Sequence, residues 1–429
     1  MTALERIAAD ILAINPDQTE RAALQLHILD TIGAWHAGAR TPDGAALRDL
    51  AKAPVPAMGD GVLDRIALAC ATVRLTEIDD IHLPSCTTPG SVAVPVALGL
   101  AAALAEPRDI PAAAAAGYRV MVRLGEAIDG ANILYRGIWP TYFTAPLAAA
   151  AITARLLGLD AAKAANALAI ALTMSTGGAG RTAPGLASRW LLLANAVRAG
   201  CLAALAAQRG MTADLTLLDG EWLHATHGIR IYPQPLDRIA APALREISFK
   251  PWCTAKQALA ATYAFQRILA RGVRPDAITD VTVEVPPPYL AMVGHRAPPQ
   301  AGLGALTSAA CRIALAAYDP GRLDDVARST APGNAAVNGL IAKVTVRADN
   351  ALLEHYPVHY PARVTVTTPA GRETDLATYA PGDPGTNYGE ADVIAKFQRF
   401  AGGQPVPDPA ALDDPVQLKA LGRQICGIS

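Results

Sequence analysis

The sequence predicts a mainly α protein with an α+β part, and three observations carry that prediction. Of its 429 residues 52% are apolar but only 5% aromatic, and the apolar content is largely alanine. Alanine is the strongest helix former and lets helices pack closely, whereas sandwiches are built on Val, Ile and Tyr. From Ala3 to about Gly210 the apolar residues recur at helical spacing, and after about Pro233 segments alternate apolar and polar like strands. The length is about three times that of a common domain, so two are expected. They are an all-helical domain over 1–240 and 386–429, discontinuous in sequence, and an α+β domain over 241–385.

The elements follow in chain order. Ala22, Leu26, Leu29 and Ile32 share a helix face, with Asp17 and Thr19 as candidate caps and Gly33 inside the pattern. The uncharged run from Leu83 to Ala105 is about as long as a membrane span. It contains Pro84, Pro89 and Pro95 and much Ala, Gly and Ser, so it reads as a buried helix. Helices are expected over 145–157, which Gly158 stops, and over 160–174, which Asp160 caps. In the second half, helices over 254–271 and 304–317 accompany strands over 277–286, 341–348 and 362–368. Pro369-Ala370-Gly371 signals a turn into a returning strand over 372–379. Beyond the loop at 381–385, a helix over 390–400 returns to the first domain.

Lys and Arg number 37 against 38 Asp and Glu, a net charge of −1. That argues against nucleic-acid binding and against a polybasic membrane patch. The six cysteines are dispersed with no C-x-x-C pair, as expected of reduced thiols rather than a disulfide framework or zinc ribbon. The first twenty residues carry acids and lack a basic start with an apolar core, so no signal peptide is expected. A cytoplasmic protein is the expectation.

The densest polar cluster is Glu77-Ile78-Asp79-Asp80-Ile81-His82. Three carboxylates and an imidazole this close suit general acid–base chemistry or a hard cation, and equally a helix end that turns on Asp and Pro. No D-x-D-x-D-G loop accompanies them. Arg136, Trp139, Thr141 and Tyr142 sit in a loop that opens an alanine helix, where a carboxylate can bind or a Trp–Pro–Tyr corner can pack. The glycine-rich run 177–180 ends in Arg181, with Arg189 further on, and lacks the G-K-[ST] of a phosphate loop. Arginines there suit a bidentate grip on a carboxylate. His224 and His227 share a helix face without a third ligand, so no metal site is expected. Lys250 and Lys256 flank Pro251-Trp252-Cys253-Thr254-Ala255 where the texture changes, and a partly desolvated lysine there can act as a base. Cys253 lacks a relay, and no serine lies in a G-x-S-x-G elbow.

In their order and spacing, several segments resemble the MmgE/PrpD family, which includes 2-methylcitrate dehydratase, cis-aconitate decarboxylase and iminodisuccinate epimerase. They include Leu29-Asp30-Thr31-Ile32-Gly33, Glu77 to His82 leading to Pro89-Gly90, and Gly117-Tyr118-Arg119-Val120. Arg155 to Asp160, Leu218-Asp219-Gly220, Lys250-Pro251-Trp252, Tyr360 to Val364 and Pro381 to Pro384 complete them. The resemblance implies a large helical domain, a smaller α+β lid, a homodimer, and an active site in the cleft between domains. It also implies a small carboxylate substrate and no metal or organic cofactor.

The family's site residues carry over in part. Glu77 stands where the family motif has a catalytic aspartate, while Asp79, Asp80, His82 and Lys250 match. Thr88 and Trp139 replace histidines of the H-P-G and R-x-F-H-P segments. Arg189 and Leu192 replace the lysine and histidine of K-x-L-H, and Ala309 replaces a lid tyrosine. The expected catalytic set is therefore Glu77, Asp79, Asp80, His82, Tyr142, Lys250 and Lys256. The expected binding set is Thr88, Arg136, Trp139, Thr141, Arg181 and Arg189. These groups suffice to remove and return a proton α to a carboxylate. Epimerisation or isomerisation of a small di- or tricarboxylate or amino-dicarboxylate leads. A dehydratase or decarboxylase is the alternative, and a silent carboxylate-binding homodimer is the alternative of another class.

Overall fold

Local signals set the helix ends. Asp17 accepts the Glu20 amide at 2.8 Å and caps the helix Gln18–Ala39, while Thr19 lies inside it. Asp160 caps Ala161–Thr173 through the Lys163 amide, and Gly158 closes Pro140–Leu157 at φ 66°. The computed structural model describes residues 1–50, 61–107, 109–176, 178, 187–327 and 333–428. Helices Val62–Arg74, Gly90–Ala103, Ile110–Ala127, Pro140–Leu157 and Ser188–Gln208 pack around one another. Gly90–Ala103 is buried from Gly90 to Ala101, so the uncharged run seen in the sequence is a core helix. Ser188–Gln208 is the one helix among the described residues long and apolar enough to cross a membrane, and 61% of its apolar window is buried inside the protein. All six cysteines are buried and free.

Small residues make this packing possible. A Cβ on Gly200 would stand 2.1 Å from the Pro146 carbonyl oxygen, and one on Gly422 the same distance from that of Leu98. Real Cβ atoms do not approach backbone that closely, so both crossings depend on glycine.

Six strands are present among the described residues. β1 (Ile81–His82) pairs antiparallel with β2 (Ile247–Ser248), which ties the acidic segment to the start of the second half. β3 (Asp280–Val285), β4 (Val344–Ala348), β5 (Ala362–Thr368) and β6 (Gly371–Ala377) form a sheet ordered β4-β3-β5-β6. β3 and β4 run parallel and the other pairs antiparallel. Val281, Val283, Val364 and Val366 are buried on one face, and helix Lys256–Ala270 packs on β5 and β6.

Two expected elements differ. Residues 335–343 form a helix capped by Asn334, so the strand expected from 341 begins at Val344. The helix expected over 304–317 breaks at Ser308, whose hydroxyl caps Ala309–Tyr318 through the Cys311 amide at 3.2 Å. The C-terminal helices Glu390–Phe400 and Pro415–Cys426 pack on Gln18–Ala39 and Gly90–Ala103 respectively. The first contact passes over Gly33, where a Cβ would lie 3.1 Å from the Phe397 ring. Gly200→Ala is expected to lower stability by about 1–3 kcal/mol, because the close helix crossing must open. Gly220→Ala, with open space around it, should change it by less than about 0.5 kcal/mol. Chemical-denaturant midpoints of the two variants check this.

Candidate active site

The acidic segment begins where helix Val62–Arg74 ends. Glu77 takes φ 58°, a left-handed conformation uncommon for a residue with a side chain, and its carboxylate is turned back onto the helix end. Arg74, 3% exposed, donates from Nη1 to Asp79 Oδ1 at 2.5 Å and from Nη2 to Glu77 Oε1 at 3.1 Å. Arg189 adds a bond to Glu77 Oε1 at 3.2 Å and lies over the rings of Trp190 and Trp139, 4.1 and 4.9 Å from their centroids. The β1–β2 pairing sets Lys250, two residues beyond β2, against the same acids. Its Nζ lies 3.4 Å from Glu77 Oε2 and 3.7 Å from Asp79 Oδ1, and the residue is 1% exposed.

Three cations thus meet two carboxylates out of water. Burial pushes against ionisation of Glu77, but Arg74, Lys250 and Arg189 overcome it and hold the carboxyl at about 2. Asp79 goes the other way. Its burial dominates and raises its proton affinity, and Oδ2 has no partner among the described residues. Tyr142 is fully buried, stacked on Trp139 with centroids 5.5 Å apart, and its hydroxyl also lacks a partner there. Burial raises its proton affinity too, so it stays a phenol.

Arg74, Glu77, Lys250 and Trp139 border a narrow cleft of about 40 Å³ between the helical part and residues from the second half, with Asp79 and Tyr142 buried behind its wall. Arg74, Glu77, Lys250 and Lys256 give it a charged wall, and Ile81, Leu134, Trp139 and Met292 an apolar one. Thr88 and Thr141 line it together, the Thr88 amide donating to Thr141 Oγ1 at 3.1 Å. Lys256 is ion-paired to Asp383, whose other oxygen accepts the Ala380 amide at 2.9 Å, and burial lowers its proton affinity. Cys86 also lines the cleft, but burial pushes its thiol up to about 11, so it is a poor nucleophile.

Asp80, His82 and Arg136 are not in this assembly, which corrects the expectation from sequence. Asp80 points to the far side of its loop. It accepts the Gly90 amide at 2.8 Å and the Tyr118 hydroxyl at 3.0 Å, with His27 Nδ1 2.9 Å away. His82 alternates with Ile81 along β1, so Ile81 lines the cleft and His82 faces away. His82 Nδ1 lies 2.9 Å from the Ser85 hydroxyl and accepts the Ser85 amide at 3.3 Å, while its Nε2 lies 3.6 Å from Glu246. His82, Glu126 and Glu246 come within the spacing a cation would need, but Arg123 already pairs with both carboxylates. Arg136 reaches outward to the Gly228 carbonyl at 3.0 Å. Arg181 lies outside the described residues.

Arg74 was missed from sequence, although a basic residue three positions before Glu77 at a helix end was a usable signal. Trp190 gave no such signal, because an aromatic in an apolar helix reads as core.

The fold is thus a mainly helical body joined to a small sheet-bearing part, with a cleft of opposed charged and apolar walls where they meet. The MmgE/PrpD N-terminal domain matches residues 3–228 and the MmgE/PrpD C-terminal domain residues 252–412. The chain belongs to the MmgE/PrpD family, whose members are generally enzymes: dehydratases, other lyases and epimerases. No curated protein matches the chain. The C-terminal match extends to 412, past the helix that packs back on Gln18–Ala39.

Because the Glu77 carboxyl is lowered from 4.5 to about 2 by folding, the stability it contributes is present above pH 4.5 and lost as the pH falls toward 2. Glu77→Gln is expected to cost about 3 kcal/mol at neutral pH. The gap to the parent should close between those two values. Denaturant unfolding across pH 2–7 checks the sign, and a gap that widens on acidification contradicts it.

Proposed function

We propose that the protein removes and returns a proton α to a carboxylate of a small di- or tricarboxylate or amino-dicarboxylate, using its own side chains, as an epimerase or isomerase. The excess of positive charge in the buried cluster carries this reading: among the described residues, Arg74, Lys250 and Arg189 form ion pairs with Glu77 and Asp79 alone. A substrate carboxylate supplies the missing negative charge. When its α C–H bond breaks, the charge that develops on the carboxylate oxygens is stabilised by cations already fixed in place.

Lys250 is the candidate base. It acts once its ammonium proton has passed to Asp79, 3.7 Å away, whose proton affinity burial raises; the amine then takes a proton from carbon. Tyr142 is the candidate acid on the other face, since it keeps its proton and commits it to no other group among the described residues. The C–H bond lost to Lys250 on one face is remade with the Tyr142 proton on the other, and return of a proton from the Lys250 ammonium to the Tyr142 phenolate resets the site, so substrate and product have the same atoms. The same phenol favours a second reading, elimination, in which it protonates a leaving hydroxyl.

Lys250→Met and Tyr142→Phe should each reduce turnover by about 10²–10⁴-fold. Arg136→Ala, at the surface, should stay within about twofold of the parent. Steady-state kinetics on a substrate found by screening gives the answer. Parent-like rates for the first two variants would show the acid and base to be misassigned.

A further inference from the structure

We infer that Asp30 and Lys396, a buried ion pair behind the acidic loop, are positioning residues that hold Glu77 and Asp79 in their cleft-facing geometry. The inference rests on the reading of those two carboxylates as site groups. Lys396 Nζ lies 2.5 Å from Asp30 Oδ1 and donates to the Ile78 carbonyl at 2.6 Å. Both side chains are nearly solvent-free. Ile78 is the residue between Glu77 and Asp79, so its carbonyl reports the backbone orientation of both.

That backbone has little else to hold it. From Glu77 to Asp80 the main-chain hydrogen bonding among the described residues is a single long contact, from the Glu77 amide to the Arg74 carbonyl at 3.4 Å. Glu77 is also held in a left-handed conformation that a free chain would leave. On the cleft side the loop is gripped through side chains, by Arg74 and Lys250. On the rear, Lys396 grips the middle of the loop, and the Asp80 contacts to Gly90 and Tyr118 secure its end. Removing the rear contact at Ile78 leaves the peptide units on either side free to rotate. Rotation there would carry Glu77 and Asp79 off their three cations.

The pair also gives the segment Leu29-Asp30-Thr31-Ile32-Gly33 a role that packing alone does not require. Asp30 supplies the countercharge, and Gly33 one turn later lets Phe397 come within reach, which brings its neighbour Lys396 to the loop. A purely structural role, fastening Glu390–Phe400 to Gln18–Ala39, would need no bond to Ile78.

The test compares the whole protein with Lys396→Met, with the neutral double variant Asp30→Asn/Lys396→Met, and with Lys396→Arg. The double variant avoids leaving a lone buried charge, which could unfold the single one. Amide hydrogen exchange by mass spectrometry reads residues 75–82 against the helix Gln18–Ala39. In the double variant, exchange of 75–82 should quicken by about tenfold while the helix stays within about twofold. Turnover should fall through kcat, with KM changing less than about threefold. Lys396→Arg keeps charge and donors and should leave loop exchange within about threefold of the parent. A folded double variant with unchanged loop exchange overturns the inference, as does an Arg variant whose loop is as loose as the Met variant's. A loosened loop with parent-like turnover instead overturns the reading of Glu77 and Asp79 as site groups.

Discussion

Everything around the cleft depends on holding two acidic side chains side by side, one of them pinned as a carboxylate, in a place nearly closed to water. Charges cost several kcal/mol each to bury unless they are paired and well bonded. Arg74 meets that demand from the last turn of its own helix, and Lys250 and Arg189 arrive from elsewhere in the chain. Arg74 hydrogen-bonds both acids, so removing it would weaken the compensation of each, and the site and the fold around it stand together. The consequence for chemistry is an asymmetric pair. Glu77 is pinned as a carboxylate, while Asp79 is moved toward holding a proton. Neighbouring acids driven apart in this way are how one site offers a fixed charge and an exchangeable proton at the same pH.

The helical body makes such a cluster possible by being rigid at close range. Alanine and glycine bring helices near enough that their backbones touch, as at Gly200 and Gly422. Side chains at the helix ends then have few ways to move. The acidic loop is caught between this body and residues that follow β2, with cations on both faces: Arg74 and Lys250 toward the cleft, Lys396 behind. The apolar wall of Trp139, Ile81, Leu134 and Met292 limits the water that reaches the charges, which strengthens their interactions.

Much of this was legible in the sequence where the signal was local. The caps at Asp17 and Asp160, the stop at Gly158 and the β5–β6 hairpin followed from residue chemistry within a few positions. Glu77, Asp79 and Lys250 stood out as chemically unusual in separate segments, and the structure brings these three within ion-pair distance. What could not be read is direction. A left-handed residue at Glu77 followed by a two-residue strand decides that Ile81 faces the cleft while Asp80 and His82 face away, and no periodicity exists over so short a stretch. Partner choice was equally hidden. Lys256 is taken by Asp383 and Lys396 by Asp30, pairs separated by more than a hundred residues. The strand that starts at Val344 rather than 341 reflects the helix before it, capped by Asn334, which overrides the alternating pattern.

Proton exchange at carbon tests the account most directly. The purified protein would be incubated in D₂O with citrate-like acids, imino-diacids derived from aspartate, and related dicarboxylates, while proton NMR follows the α-proton signals. The account predicts that at least one of these compounds loses its α-proton signal without a new alkene forming. If none exchanges while the folded protein still binds a carboxylate, the cluster holds anions without acting on them, and the proposed chemistry is wrong.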